Sequence, residues 1–280
     1  MIQFQNESIT VFQSALFQTT CTVVVTRDLV LVVDPNWLPH EIEEIRQYVS
    51  QVREDREVYL LFTHGDFDHI IGYHAFPGAR VIGSIGLEEH PEKMKKLGLI
   101  QQFYNEYYIE PPYEIGFPEV DFVISQDGQQ LVFGETKLTF YLAQGHTHDG
   151  LFTLVEPLGL WIAGDYLSDF ELPFIYHSAK AYEETLWKAE QVLVNHQVSV
   201  MVPGHGQTTT NRDEIQRRIQ QSQDYLSRLI AAVVEEEVET QCLLEKEMPF
   251  SSNFTKQCHE DNVAIIRREY VGDEGQSGGA

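Results

Sequence analysis

Four times along the chain an apolar run stops at a short turn bearing histidine or aspartate. The stretches are VYLLFTHGDFDH (58–69), FYLAQGHTHDG (140–150), LWIAGDYL (160–167) and VMVPGHGQ (200–207). The runs are rich in β-branched and aromatic residues, which marks them as strands. Each turn contains glycine and at least one polar side chain that can bind a metal. A strand is rigid, and a tight turn at its end can aim side chains at one point. Four such ends feeding one cleft restrict the chain to layered α and β elements around a polar centre. Imidazole and carboxylate together suit divalent zinc, iron or manganese. The candidate metal ligands are therefore His64, Asp66, Asp68, His69, His146, Asp165 and His205.

The remaining pattern supports this. Two short β-rich runs open the chain, and CTVVVTRDLVLVVDPNW (21–37) reads as a hairpin turning at Arg27-Asp28. Ile42, Ile45, Val49 and Val52 recur at helical spacing behind Pro39, so a helix is predicted over 39–53. A short helix is expected from Ile70, then a strand at ARVIGS, then a helix over 85–98 with Gly98 as its stop. Further strands are predicted at 120–124, 130–133, 136–142, 151–155, 159–163 and 198–202, with helices at 179–196, 211–235 and 254–270. Residues 99–118 hold many aromatics between better-defined elements, and GDEGQSGGA at the end is expected to be disordered.

The chain has 280 residues, 42% of them hydrophobic, which is ample material for a core. No window approaches the roughly 20 apolar residues of a membrane span. MIQFQNESIT has neither the basic nor the apolar region of a signal peptide, and the three cysteines lack ligand-like spacing. A cytoplasmic location with free thiols is expected. With 43 acidic against 19 basic residues the net charge is −24, which disfavours nucleic acid and anionic membranes as partners.

The set VVDPNW, THGDFDH, GHTHDG, AGDYL and PGHG resembles the metallo-β-lactamase fold superfamily, in this order, from about Val23 to Gly206. The resemblance implies a four-layer αββα sandwich with two metal ions between its sheets. It also implies that His64, residue 66 and His146 hold one ion, that Asp68, His69 and His205 hold the other, and that Asp165 bridges them. Asp34 matches a family aspartate that supports the centre from behind. On this basis residues 1–210 are expected to form the sandwich domain, 211–270 a helical C-terminal extension packed on it, and 271–280 a disordered tail. The extension also allows a homodimer.

Two positions depart from the family pattern. The usual His-x-His-x-Asp-His reads here His64-x-Asp66-x-Asp68-His69. With Asp66, Asp68 and Asp165 all ligating, three carboxylates and a hydroxide balance the charge of two divalent ions, where the usual pattern leaves one positive charge. Zinc is the first expectation, and the extra carboxylate also admits iron or manganese. Asp66 is thus a zinc ligand in a neutral pair, an iron or manganese ligand, or a bystander at a one-metal centre. A flavodiiron enzyme has glutamate there and an attached flavodoxin domain, for which the residues after Gly206 are too few. The second departure is GHTHDG, where relatives carry proline and glycine after the threonine; His148 beside His146 becomes a candidate proton donor. His74, His90, His196 and His259 lie in helical or surface-like stretches and receive no role.

The reading these residues favour is a metal-dependent hydrolase. A hydroxide held between the ions would attack a small ester, thioester or lactone, with Asp68 or Asp165 orienting it. Aromatics of 103–117 and of the loop 166–177 (Tyr166, Phe170, Phe174, Tyr176, with His177) would wall the substrate pocket. One alternative is a non-haem iron oxidoreductase acting on thiols or persulfides; another is a non-catalytic metal-binding scaffold.

Overall fold

The computed structural model describes residues 1–247 and 250–272. Its first sheet runs in the spatial order β1 (Ile2–Gln5), β2 (Ile9–Gln13), β3 (Thr20–Val25), β4 (Leu29–Val33), β5 (Glu57–Leu61), β6 (Arg80–Ser84), β7 (Phe122–Ile124). The early strands pair antiparallel, whereas β4, β5, β6 and β7 pair parallel. Parallel strands need crossovers, and these are supplied by α1 (Pro39–Val52), then α2 (Phe67–Ile70), then α3 (Ile85–Glu88) with α4 (Lys93–Glu106). The second sheet runs β12 (Val200–Val202), β11 (Leu160–Ile162), β10 (Leu151–Glu156), β9 (Thr136–Leu142), β8 (Gln129–Phe133). Between β11 and β12, which are parallel, the chain crosses through α5 (Ala179–Asn195). Three further helices follow: α6 (Arg212–Val234), α7 (Val238–Lys246) and α8 (Asn253–Ile266).

Side-chain alternation sorts the core into three layers of contact. Leu29, Leu31 and Val33 of β4 point at the other sheet, where Phe140, Leu160, Ile162 and Val202 meet them. Val30 and Val32 of the same strand face outward onto Ile42, Ile45 and Val49 of α1. On the far side, Trp161 and Met201 lie under Leu186 and Ala189 of α5, backed by Ile219, Tyr225 and Leu229 of α6 and by Ile265 of α8. The order helix, sheet, sheet, helix is the αββα sandwich. Both sheets bury both faces, which explains why their central strands read as unbroken apolar runs.

Two expected elements differ. The helix predicted over 85–98 is split at Pro91, and α4 runs through Gly98 to Glu106. Proline has no N–H to continue α3. Burial of Ile100 and Tyr104 outweighs the roughly 1 kcal/mol that an internal glycine costs. The short helix expected from Ile70 begins at Phe67 instead, with Asp66 at its N-cap position. No disulfide is present among the described residues: Cys21, Cys242 and Cys258 are free. Residues 273–280, most of the tail expected to be disordered, lie outside the described residues. No helix among the described residues is long and apolar enough to cross a membrane.

Candidate metal centre

The ends of β5, β9, β11 and β12 converge at one rim of the sandwich and bring the seven predicted ligands together. Their Nε2 and carboxylate oxygens form two groups, His64 with Asp66 and His146, and Asp68 with His69 and His205. Asp165 lies between them. Its Oδ2 is 3.5 Å from His64 Nε2 and 3.2 Å from both His146 and His205 Nε2, while Oδ1 is 3.1 Å from His69 Nε2. Asp66 Oδ2 is 3.7 Å from His64 and 3.5 Å from His146; Asp68 Oδ2 is 3.4 Å from His69 and 3.5 Å from His205. A tetrahedral ion with bonds of about 2.1 Å holds its ligands about 3.4 Å apart, so these separations fit a shared ion in each group.

Hydrogen bonding fixes which ring nitrogen is free. His146 Nδ1 donates to the Phe174 carbonyl at 2.7 Å, and His205 Nδ1 to the Phe17 carbonyl at 2.9 Å. His69 Nδ1 donates to Asp34 Oδ2 at 2.9 Å. The Thr63 hydroxyl donates to Asp34 Oδ2 at 2.6 Å, which leaves its oxygen to accept from His64 Nδ1 at 3.0 Å. All four imidazoles therefore turn Nε2 toward the cluster, where it offers a lone pair once the ring is neutral. The Nε2 atoms of His64, His69 and His146 and Oδ1 of Asp165 are buried without hydrogen-bond partners. Buried polar atoms are ordinarily satisfied, and divalent ions at these two positions would satisfy all four.

Electrostatics agree. Burial works to lower the His146 and His205 pKa values. The surrounding carboxylates, Asp165 and Asp66 for one and Asp165 and Glu171 for the other, win and push each to about 10. Ions entering the site must displace those protons, so acid weakens metal uptake. Strain also collects here: Phe17, Gln18, Asp34 and Leu167 all have positive φ. Gly204 allows its turn to pass beneath the centre, since a Cβ there would collide with Asp165 Oδ1.

His148 stands apart from the cluster of seven. Its ring packs 4.7 Å from His90 and 6.0 Å from His177, beside Asp149. His90, His148 and Asp149 lie close enough to share an ion. However, His90 Nδ1 accepts from the Glu92 N–H at 3.0 Å, which puts the proton on Nε2 and removes the lone pair that would ligate. Asp149 Oδ2 accepts from the Gly65 N–H and so braces the THGDFDH loop. His90 and His259, read from sequence as surface-like, are buried, and His259 Nδ1 bonds the Tyr225 hydroxyl.

Of the loop aromatics, Tyr166 is buried rather than on a rim. Its hydroxyl accepts from His146 N–H at 2.9 Å and is within reach of the Gln144 carbonyl at 3.0 Å, which holds the His146 turn. Phe170 and Phe174 line an apolar cavity of about 300 Å³, together with Phe17, Leu172, Phe250 and Phe254. The 103–117 aromatics line no part of it. Phe103 packs 5.0 Å from Trp37, and Tyr104 is buried in the outer layer of the first sheet. Their place is taken by Phe250 and Phe254 from the C-terminal segment.

Two residues beside the centre had no sequence signal. Lys96, on α4, forms an ion pair with Asp66. Glu171 lines both the apolar cavity and the smaller pocket that holds His146, Asp165 and His205. Burial pushes its carboxyl up to about 7, with His205 opposing. A raised folded-state pKa means that this group's contribution to stability is intact below about 4.5 and lost as pH rises through about 7. Glu171→Gln is expected to raise the stability of chelator-treated protein at pH 8.5 by about 1–2 kcal/mol, reduced from the full shift because the residue is partly exposed. At pH 4.5 it should leave stability unchanged. Thermal melts at the two pH values check this, and an equal shift at both would refute it.

A sandwich with two His/Asp half-sites sharing one aspartate at its strand ends defines a class of metal-binding α/β protein. The family model described as the metallo-beta-lactamase superfamily matches residues 15–205, and the chain belongs to that superfamily. Among solved structures it is similar to a metallo-beta-lactamase family protein from Thermus thermophilus, at 16% identity and a TM-score of 0.65, over 96% of this chain and 95% of that one. It is also similar to the stereoselective inverting sec-alkylsulfatase Pisa1 from Pseudomonas sp., at 11% identity and a TM-score of 0.67, over 96% of this chain but 50% of that one. A third is a B3 metallo-beta-lactamase with an active-site glutamic acid, at 15% identity and a TM-score of 0.53, over 79% and 86% of the two chains. No curated protein matches the chain in sequence.

Proposed function

We propose that this protein is a metal-dependent hydrolase acting on a small ester, thioester or lactone with an apolar acyl or aryl group. The observation that carries the reading is that the apolar cavity adjoins the pocket holding His146, Asp165 and His205, the two sharing Glu171, Leu172 and Phe174. Phe17 and Phe174, whose carbonyls accept from Nδ1 of His205 and His146 behind the ligands, also line the cavity, so the same residues fix the ligand rings and bound the apolar space. In this reading the scissile bond is held at the centre and its apolar group lies in the neighbouring cavity. Hydrolases among its structural relatives, such as a sulfatase and a β-lactamase, support the reaction class only.

Divalent ions at these half-sites, zinc first, would supply Lewis acidity and a water whose pKa falls toward neutrality. The protein's own part is orientation. Asp165 faces all four imidazoles and Asp68 faces His69 and His205, so either carboxylate can accept a hydrogen bond from a nucleophilic water and take its proton. Glu171 lines the pocket that holds Asp165 and in this reading relays that proton toward a leaving group. The Phe17, Phe170 and Phe254 side chains present an apolar lining to the acyl side.

The test is a series of nitrophenyl esters, thioesters and lactones of increasing acyl length, with zinc-loaded protein. kcat/KM should rise roughly three- to fourfold per methylene until the cavity is full. Phe174→Ala with Phe254→Ala should raise KM about tenfold for the longest acyl group while leaving the acetyl ester nearly unaffected. Failure of the zinc-loaded protein to cleave any of the series, or co-purified iron with oxygen uptake on persulfides, would overturn the reading.

A further inference from the structure

The ion pair between Lys96 and Asp66 joins an unusual acid to a lysine that behaves unlike its neighbours. Lys95 is exposed and pairs with Glu92 close by in sequence, and Lys93 reaches the Glu88 carbonyl at 2.6 Å. Lys96 turns inward: its side chain is 17% exposed, its partner's 15%, and the ammonium meets Asp66 Oδ1. α4 is positioned for this by Phe103, which packs with Phe67 of α2 and with Trp37. Asp66 thus divides its two oxygens. Oδ1 takes the ammonium, and Oδ2 faces His64 and His146 Nε2.

We propose that Lys96 is a positioning residue for the metal centre. It holds Asp66 so that a single oxygen faces the His64/His146 half-site, and its charge offsets the one by which this chain departs from the family's histidine. With the ammonium included, the centre regains the single positive charge that a histidine at position 66 would leave. The charge argument for iron or manganese is thereby cancelled. A histidine at 66 beside Lys96 would strand a largely buried ammonium next to a dication, so residues 66 and 96 specify one another. The inference rests on the metal centre of the proposed function and not on the bond it cleaves.

The test is a double-mutant cycle on Asp66→His and Lys96→Met. It is read by zinc affinity in chelator-buffered titrations, by zinc per chain, and by the melting temperature of the metal-free protein. Asp66→His alone should weaken the more labile zinc at least tenfold. Adding Lys96→Met should restore it to within about threefold of wild type. Lys96→Met alone should lower the melting temperature of the metal-free protein, because it strands a carboxylate, and should weaken that zinc severalfold, because Oδ2 is no longer held toward the half-site. Lys96→Arg, which keeps the charge, should restore wild-type behaviour on both measures and guards against simple misfolding of the methionine variant. Additive effects across the cycle, or zinc affinity unmoved by Lys96→Met, would overturn the proposal. Because no measurement involves turnover, a chain that shows the coupling yet cleaves no ester refutes the hydrolase reading and leaves this one standing.

Discussion

Asp165→Ala is expected to empty the centre: zinc per chain should fall from two to less than one, and hydrolysis should drop by on the order of 10³ or more, about 4 kcal/mol in the barrier. Among the described residues, Asp165 is the one carboxylate that approaches His64, His69, His146 and His205 together. Each half-site keeps three other ligands after its removal, so metal could still enter one of them weakly. What is lost is the shared carboxylate, and with it the charge that would hold two dications a few ångströms apart. Metal analysis after dialysis against buffered zinc reads the result. Full occupancy in the alanine variant would show that the two half-sites are independent.

The placement of Asp165 is legible in LWIAGDYL because the physics is local. A buried strand must end, glycine allows a sharp turn, and the next polar residue is delivered to the strand-end rim. The same local logic locates His64, Asp68, His69, His146 and His205. It also marks the central strands, where dense β-branched runs follow from burial on both faces.

What escapes such reading depends on contacts between residues far apart in sequence. Lys96 lies in KMKKLG, a stretch that reads as a solvated helix face, and only the packing of α4 on α2 turns its side chain toward Asp66. Glu171 sits in the loop predicted to cover the site, but a carboxylate among aromatics there gives no sign of its burial. The 103–117 aromatics read as a pocket wall by composition. Composition cannot show that Trp37 and Phe67 claim Phe103, leaving the wall to Phe250 and Phe254. His148 is near His146 in sequence, yet neighbouring residues on a turn point in different directions, and its ring goes to His90.

Asp34→Asn is expected to be nearly as damaging as loss of a ligand, although residue 34 faces no ion. The Asp34 carboxylate accepts three hydrogen bonds: Thr63 N–H at 2.9 Å on Oδ1, and the Thr63 hydroxyl and His69 Nδ1 on Oδ2. Asparagine tolerates the positive φ at this position, so the backbone can stay as it is. With its oxygen facing Thr63 N–H, however, its amide nitrogen would face two donors. Either His69 moves its proton to Nε2, which destroys the lone pair aimed at the metal, or the Thr63 hydroxyl rotates and no longer steers His64. Both half-sites are therefore affected by one oxygen-to-nitrogen exchange. Zinc affinity should fall about 10- to 100-fold, and the metal-free protein should lose about 1–3 kcal/mol from the unsatisfied donors. Asp34→Ala removes the clash as well as the acceptor and forces a residue with less tolerance of positive φ. It should therefore cost at least as much stability but relieve the tautomer constraint. The discriminating measurement is the His69 ring ¹⁵N shift pattern in the zinc-loaded protein: a metal-bound Nε2 with a protonated Nδ1 in the wild type, and an Nε2 that carries a proton in the asparagine variant. Identical patterns in the two proteins would mean that Asp34 stabilises the fold without setting the state of the ligand.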